Sequence, residues 1–284
     1  MVLDNTNSNS IYKCPVCELT LIKQDRQYIC EKGHNFYISQ KGYVNLLLAN
    51  QKKTNDPGDN NQMMESRRNF LNKEYYAKFS DKLNQVITSH LSEDAKYILD
   101  AGSGEGYFIS RLKNKLTVLK NKMNISYYGI DISKSAATYG SKRDKSINFA
   151  VGSNFNLPIL TNSTDCIIRN FAPGDNKGFH RVLNDSGKLV IVTPGTMHLF
   201  ELKEALYDKA RKHETEESSL EGFKCIDHEE IQYSIDVNHN EDIRNLISMT
   251  PYYWSITNEV RDSIDSITSL KTTLHFNINV YSKV

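Results

Sequence analysis

No stretch of this 284-residue chain approaches the roughly 18–20 consecutive apolar residues that a membrane-spanning helix requires, which argues against a helical membrane protein. Net charge is also missing: 35 Lys and Arg stand against 34 Asp and Glu, which excludes the strongly basic signature of a pure nucleic-acid binder. The first ten residues, MVLDNTNSNS, lack the basic-then-apolar order of a signal peptide. Cysteine is scarce, with five in all, and Cys166 and Cys225 lie far apart. That usage excludes a disulfide framework and suits a reducing cytoplasm. Hydrophobic residues still make up 39% of the chain, enough for one large α/β domain with an appendage.

The other three cysteines are clustered. Cys14-Pro-Val-Cys17 and Cys30-Glu-Lys-Gly-His34 are separated by twelve residues, the spacing of a closed tetrahedral zinc site. The charge balance is uneven in the same region. Residues 11–73 carry ten Lys and Arg against six Asp and Glu, a mild basic bias compatible with RNA contact.

Residues 1–10 are expected to be disordered, 11–50 to form the metal module and 51–62, polar and containing Pro-Gly, to be a linker. Short strands are expected at Tyr28-Ile29 and at Phe36 to Ile38. From Met63 to Leu91 the apolar spacing predicts two helices. Strand and helix patterns then alternate through residue 284. The strands are Tyr97–Asp100, Tyr127–Asp131, Asn148–Val151, Cys166–Arg169 and Lys188–Thr193. Helices are expected over Tyr107–Leu119, from Ser133, and from about His198 to Arg211. Such alternation implies a parallel sheet covered by helices on both faces. Leu274, Phe276, Ile278 and Val280 alternate with other residues and predict a half-exposed antiparallel strand at or near an edge.

Between the first strand and its helix lies Asp100-Ala-Gly102-Ser-Gly104-Glu105-Gly106. Glycines there let the backbone turn sharply and approach a ligand, although an ordinary tight turn would read the same way. The pattern is D-x-G-x-G-x-G and not the G-x-G-x-x-G of dinucleotide binders. Asp131, at the tip of the second strand, suits a ribose diol. S-adenosylmethionine satisfies both features. Ser153 and Asn154 are candidates for its adenine, or a polar turn before Pro158. Asn170 could read a base edge or cap the next helix. Arg67 and Arg68 are a solvated face or phosphate contacts, and Trp254 with Tyr252-Tyr253 is a stacking surface or core.

Taken together, YKCPVC, YICEKGH, QKGYVNLL, DPGDNNQMMESRRNFL, LDAGSGEGYF, IIRNFAP, VTPGTMHLFELK and MTPYYW resemble the RlmA family. These are 23S ribosomal RNA (guanine-N1)-methyltransferases, among them an enzyme associated with tylosin (macrolide) resistance. The resemblance implies a class I S-adenosylmethionine-dependent methyltransferase fold. That fold is Rossmann-like, with a mostly parallel seven-stranded sheet and an antiparallel C-terminal strand, over residues 63–284. It implies one structural zinc on Cys14, Cys17, Cys30 and His34. It also implies cofactor contacts from Tyr76, from Gly104 through Glu105, Gly106, Tyr107 and Phe108, and from His198. Ser103 and NFAPGD depart from relatives, which leaves open which guanine is chosen. No catalytic acid or base is identified, and the oligomeric state, homodimer included, stays open. A small-molecule methyltransferase with a structural zinc module is the alternative. On this reading, removing residues 1–50 should leave an intact cofactor-binding domain.

Overall fold

The computed structural model describes residues 10–52, 54, 57–119, 124–207, 209–214, 220–254, 257 and 264–284. The expected disorder of the first nine residues, part of the expected linker (Lys53, Asn55, Asp56) and the side chain of Trp254 lie outside these. Two tight turns open the chain. The Cys14 carbonyl accepts the Glu18 N–H at 2.9 Å, with Glu18 in the left-handed region (φ 66°). The Cys30 carbonyl accepts the Gly33 N–H at 2.8 Å, with Gly33 at φ 80°. Strands β1 (Ile22–Gln24), β2 (Gln27–Ile29) and β3 (Asn35–Tyr37) form an antiparallel sheet beside these turns.

A fourth strand, β4 (Val44–Asn45), leaves that small sheet. It pairs in parallel with β7 (Asn148–Val151), at Val44–Ala150 and Asn45–Val151. The remaining strands are β5 (Tyr97–Ala101), β6 (Ser126–Asp131), β8 (Thr164–Asn170), β9 (Leu183–Pro194), β10 (Phe223–Val237) and β11 (Leu270–Lys283). The order across the large sheet is β10-β11-β9-β8-β5-β6-β7-β4. Neighbours from β4 to β9 run parallel, and β11 runs antiparallel to both β9 and β10. The seven strands expected are present, and β4 adds an eighth.

Helices α1 (Asn61–Asn72), α2 (Ala77–His90), α3 (Tyr107–Leu119), α4 (Lys134–Arg143), α5 (Asn176–Val182), α6 (Phe200–Leu206) and α7 (Asn240–Ser248) complete the described elements. Three helix starts carry the expected chemistry. Asn60 accepts the Met63 N–H, Ser133 accepts the Ala136 N–H and Asp175 accepts the Gly178 N–H.

Two expectations are corrected. The last strand is antiparallel and next to the edge as expected, but it is not half-exposed, because β10 pairs along its outer side and Leu274, Phe276, Ile278 and Val280 are all fully buried. The helix expected from His198 to Arg211 spans only Phe200–Leu206. Beyond it the chain turns back: Lys203 Nζ donates to the Arg211 carbonyl at 2.9 Å, and the His213 N–H donates to the Thr196 carbonyl.

The two faces of the sheet bury separate cores. On one, Ile98, Ile168, Val190, Val192 and Phe276 pack with residues of α2, α3 and α7. On the other, Leu99, Tyr128, Ile130, Ala150 and Ile167 pack with Phe179 and Val182 of α5, and also with Tyr12, Leu21, Tyr28, Cys30 and Val44. The Tyr12 ring stands edge-on to both Tyr28 and Tyr128, at 5.1 and 5.2 Å, and its hydroxyl donates to the Asn148 carbonyl. Residues 11–50 therefore cover a face of the large sheet. The boundary at residue 50 divides the sequence and not the packing. No helix among the described residues is long and apolar enough to cross a membrane.

Candidate functional site

Strand order reverses at β5: the chain moves outward through β6 and β7, then returns to place β8 on the other side. Ligands of open α/β sheets occupy the crevice at such a switch point, beyond the carboxyl ends of the strands. Asp100 to Gly106 leaves β5 there, and Asn170 to Gly174 leaves β8 beside it. Gly102, Gly104 and Gly106 all have positive φ, at 91°, 52° and 80°. The N–H groups of Gly102 and Ser103 both donate to the Ile130 carbonyl, at 2.8 and 3.0 Å, anchoring the turn to β6. The Gly104 N–H donates to Asp131 Oδ2 and the Ser133 N–H to Asp131 Oδ1, each at 2.9 Å.

Unpaired buried oxygens mark the crevice. Asp100 Oδ1, Ser103 Oγ, Asn154 Oδ1 and Asn170 Oδ1 are shielded from solvent and have no hydrogen-bond partner among the described residues. Such groups are costly in an empty fold, at about 1–3 kcal/mol each, and they suit a polar ligand that completes them. Burial and the nearby Asp131 charge push the Asp100 carboxyl up to about 7. Burial also raises Asp131, opposed by the Ser133 and Gly104 N–H groups. A cationic ligand group would relieve both. Asn170 does not cap the next helix, because Asp175 does. Asn154 ties the loops together, its Nδ2 donating to the Pro173 carbonyl at 3.1 Å.

An aromatic wall closes one side. His198 is 7% exposed and stacks on Phe171 at 5.6 Å. Phe276 lies 4.7 Å from His198 and 5.4 Å from the Tyr76 ring. Burial pushes His198 down to about 3, so it is neutral. Its Nδ1 accepts the His275 N–H at 3.3 Å, which puts the ring proton on Nε2. Phe171 is 44% exposed and is held in the left-handed region at φ 54°.

Other expected contact residues have neighbours within the protein itself. A Cβ on Gly106 would lie 2.9 Å from Phe149 Cζ and 3.2 Å from Gly140 Cα, so this glycine permits close packing of α3, α4 and β7. Glu105 Oε2 pairs with Arg143, at 2.7 Å to Nε and 2.6 Å to Nη2, while Glu105 Oε1 and the Tyr107 hydroxyl are shielded from solvent with no hydrogen-bond partner among the described residues. The Tyr107 ring lies between Arg111 and Arg143, and Phe108 packs edge-on against Phe79. The Ser153 hydroxyl accepts the Phe155 N–H within its own turn. Arg68 lies over the Tyr139 ring, while Arg67 reaches the glycine loop. The sequence offered only their adjacency as a signal, and the structure gives the two side chains different neighbours.

The metal centre is separate. Cys30 Sγ lies 3.4 Å from His34 Nδ1 and 3.6 Å from Cys17 Sγ, and Cys14 Sγ lies 3.7 Å from His34 Nδ1. All four ligand atoms fall within 4.8 Å of one another. A tetrahedron with zinc–sulfur bonds of about 2.3 Å and zinc–nitrogen bonds of about 2.0 Å has edges of about 3.5–3.8 Å. The donors therefore fit zinc and leave no open position, the signature of a structural site. Burial raises the Cys30 thiol, but hydrogen bonds with Cys17 and His34 outweigh it and bring it down to about 6.

Comparison with known proteins agrees with both sites. Residues 12–55 match the RlmA N-terminal zinc ribbon, and residues 92–246 match a family described as a methyltransferase domain. A Streptomyces fradiae protein named 23S rRNA (guanine(748)-N(1))-methyltransferase is 26% identical over 248 residues, covering 85% of each chain. A Bacillus subtilis (strain 168) protein with the provisional name 23S rRNA (guanine-N(1)-)-methyltransferase YxjB is 29% identical over 258 residues. That match covers 87% of this chain and 88% of the relative.

Proposed function

The chain belongs to the methyltransferase-domain family and carries an RlmA-type zinc ribbon, and from that premise we propose that it methylates N1 of a guanine in a hairpin loop of 23S ribosomal RNA, with S-adenosylmethionine as donor. The observation that carries this reading is the joint match of ribbon and domain to relatives named for that reaction, over 85% or more of each chain. A ribosomal substrate makes the cytoplasm the site of action and RNA the partner. Macrolide susceptibility becomes a trait worth scoring in a strain lacking the gene.

When bound, S-adenosylmethionine supplies a methyl group already activated by its sulfonium, so the protein's task is alignment. The backbone at Gly104 leaves room for the cofactor's amino-acid end, while Gly102 lets the loop pack closely against Ala172. Asp131 offers its carboxylate to the ribose, and the unpaired Asp100 Oδ1 suits the ammonium group. Guanine N1 carries a proton and cannot attack until that proton leaves. His198 is not the base: its Nδ1 is occupied and its Nε2 is a donor. Asn170 Oδ1 is an acceptor suited to the N–H groups of a guanine edge, and the exposed Phe171 ring offers a face for stacking. The Watson–Crick edge must be unpaired to enter, which favours a loop or a flipped base.

Incubation of the purified protein with S-adenosylmethionine and protein-free 23S ribosomal RNA tests the reading. The expected product is one N1-methylguanine, mapped by mass and by a reverse-transcription stop. Transfer to another nucleotide, or to no RNA at all, would overturn the substrate assignment.

A further inference from the structure

Arg67 lies on α1, outside the glycine loop and the strand ends, yet its guanidinium sits over the crevice. Nη2 is 2.6 Å from Asp59 Oδ2 and donates to the Met249 carbonyl at 3.1 Å. Nη1 has no partner among the described residues, and it lies 3.4 Å from the point where a Cβ on Gly104 would stand. One half of the fork is therefore anchored and the other half points, unfilled, at the loop.

The anchor is built with care. Asp59 follows Pro57-Gly58 in what reads from sequence as a linker. Gly58 has φ 84°, and a Cβ there would lie 2.9 Å from Ile132 Cγ2 and 3.0 Å from Ser133 Cβ. The Ser133 hydroxyl donates to the Asp59 carbonyl at 2.6 Å. This turn is thus seated on the corner between β6 and α4, next to Asp131, and it holds the carboxylate that fixes Arg67.

Charge then identifies the ligand group. Asp100, Asp131, Glu105 and Asp59 surround the loop, and Arg143 is committed to Glu105. The amino-acid end of S-adenosylmethionine is a zwitterion. Its ammonium suits the acidic crevice, but its α-carboxylate would meet repulsion there unless a cation received it. We infer that Arg67 is that cation: Nη1 pairs with the cofactor's α-carboxylate while Asp59 holds Nη2. This rests on the cofactor assignment made above. Arg67 is a binding residue on this account, and its pairing makes the site select an intact amino acid over an amine.

Calorimetric titration of the full chain with S-adenosylmethionine and with decarboxylated S-adenosylmethionine tests the inference. The second ligand keeps the sulfonium, ribose and ammonium and lacks only the carboxylate. The parent protein should prefer the first by roughly 10- to 100-fold, the range expected of a charge-assisted hydrogen bond. Arg67→Met should bind both alike, with affinity for the decarboxylated ligand no weaker than the parent's, since the variant removes a repelling cation and frees Asp59; that retained binding also shows that the variant is folded. Arg67→Lys, which retains the charge without the fork, should keep part of the preference and serves if the methionine variant does not fold. An equal loss for both ligands in either variant would make Arg67 a prop for the Gly104 loop and overturn the pairing. So would a variant that keeps its cofactor affinity and loses only affinity for ribosomal RNA. Failure of the parent to bind S-adenosylmethionine would instead strike the cofactor assignment, and this inference with it.

Discussion

Removing residues 1–50 should unfold the cofactor-binding half, although the sequence alone suggests that it would survive. The deletion takes away Tyr12, Leu21, Tyr28, Val44 and Leu46, all 4% exposed or less and all in one core with β5, β6, β7 and β8. Each is worth about 1.5–3 kcal/mol on burial, so the five together contribute about 8–15 kcal/mol, an upper figure because the unfolded chain is partly compact. A domain's entire stability is about 5–15 kcal/mol. The cut also strips β4 from β7 and leaves Tyr128, Ile130 and Ala150 facing water. Cys17→Ser is the milder form: it should lose the zinc and lower the urea midpoint of the whole chain in a single transition. Tyr12→Phe is milder still, losing only the hydrogen bond to Asn148, at about 1 kcal/mol. Urea unfolding followed by circular dichroism, with cofactor titration of each variant, reads all three. A fragment of residues 51–284 that unfolds cooperatively and binds S-adenosylmethionine like the parent would refute the shared core.

Gly104→Ala and Gly106→Ala should separate binding from packing. The first fills open cradle and should weaken cofactor binding with a strain cost of about 1 kcal/mol. The second collides with Phe149 and should lower the melting temperature at a cost of about 1–3 kcal/mol; the reverse pattern would invalidate these roles. Asp100, raised to about 7, favours the fold while protonated. Its contribution is complete below the unfolded carboxyl value and is lost as pH rises through about 7. Asp100→Asn should therefore melt higher than the parent at pH 8 while losing cofactor affinity. In the parent, cofactor binding near pH 7 should release a proton as its ammonium ionises Asp100, seen as a calorimetric enthalpy that varies with the buffer; a buffer-independent enthalpy would contradict this. Asp131→Ala should cost cofactor affinity on the order of 1–3 kcal/mol and also free the Gly104 N–H, and unchanged affinity would remove Asp131 from the site.

The strands flanking the glycine loop were legible because each is a short apolar run ending in a chemically distinct residue, as at Asp100 and Asp131. The zinc ligands were legible because metal geometry dictates spacing. β10 was not, since its first half, KCIDHEE, is charged at four of seven positions and does not alternate, so that half resembles a polar loop. Without β10, β11 could only be read as an edge. β4 has two residues, too few for any period to register. Arg67 and Arg68 part ways because neighbouring helical positions point about 100° apart, so one faces the crevice and the other lies over Tyr139. The expected linker hid Asp59 for a similar reason: a polar residue reads the same whether it faces solvent or a half-buried ion pair.

Asn170 illustrates what structure adds to such ambiguity. From sequence, its amide served equally well as a helix cap or as a reader of a base. Asp175 takes both the Lys177 and Gly178 N–H groups, so the cap is filled and the Asn170 oxygen is left buried and unpaired. An apolar residue of similar size would avoid that cost, and the flanking strand, apolar at Ile167 and Ile168, would accommodate one. The oxygen is therefore best understood as a partner for donors that the protein does not itself supply. Guanine presents two adjacent donors on its Watson–Crick edge, N1–H and the exocyclic amine, whereas adenine presents an acceptor at N1. On the proposed function, an acceptor at this position, beside an exposed aromatic ring and next to the glycine loop, would suit the base whose N1 must give up a proton before it can take a methyl group.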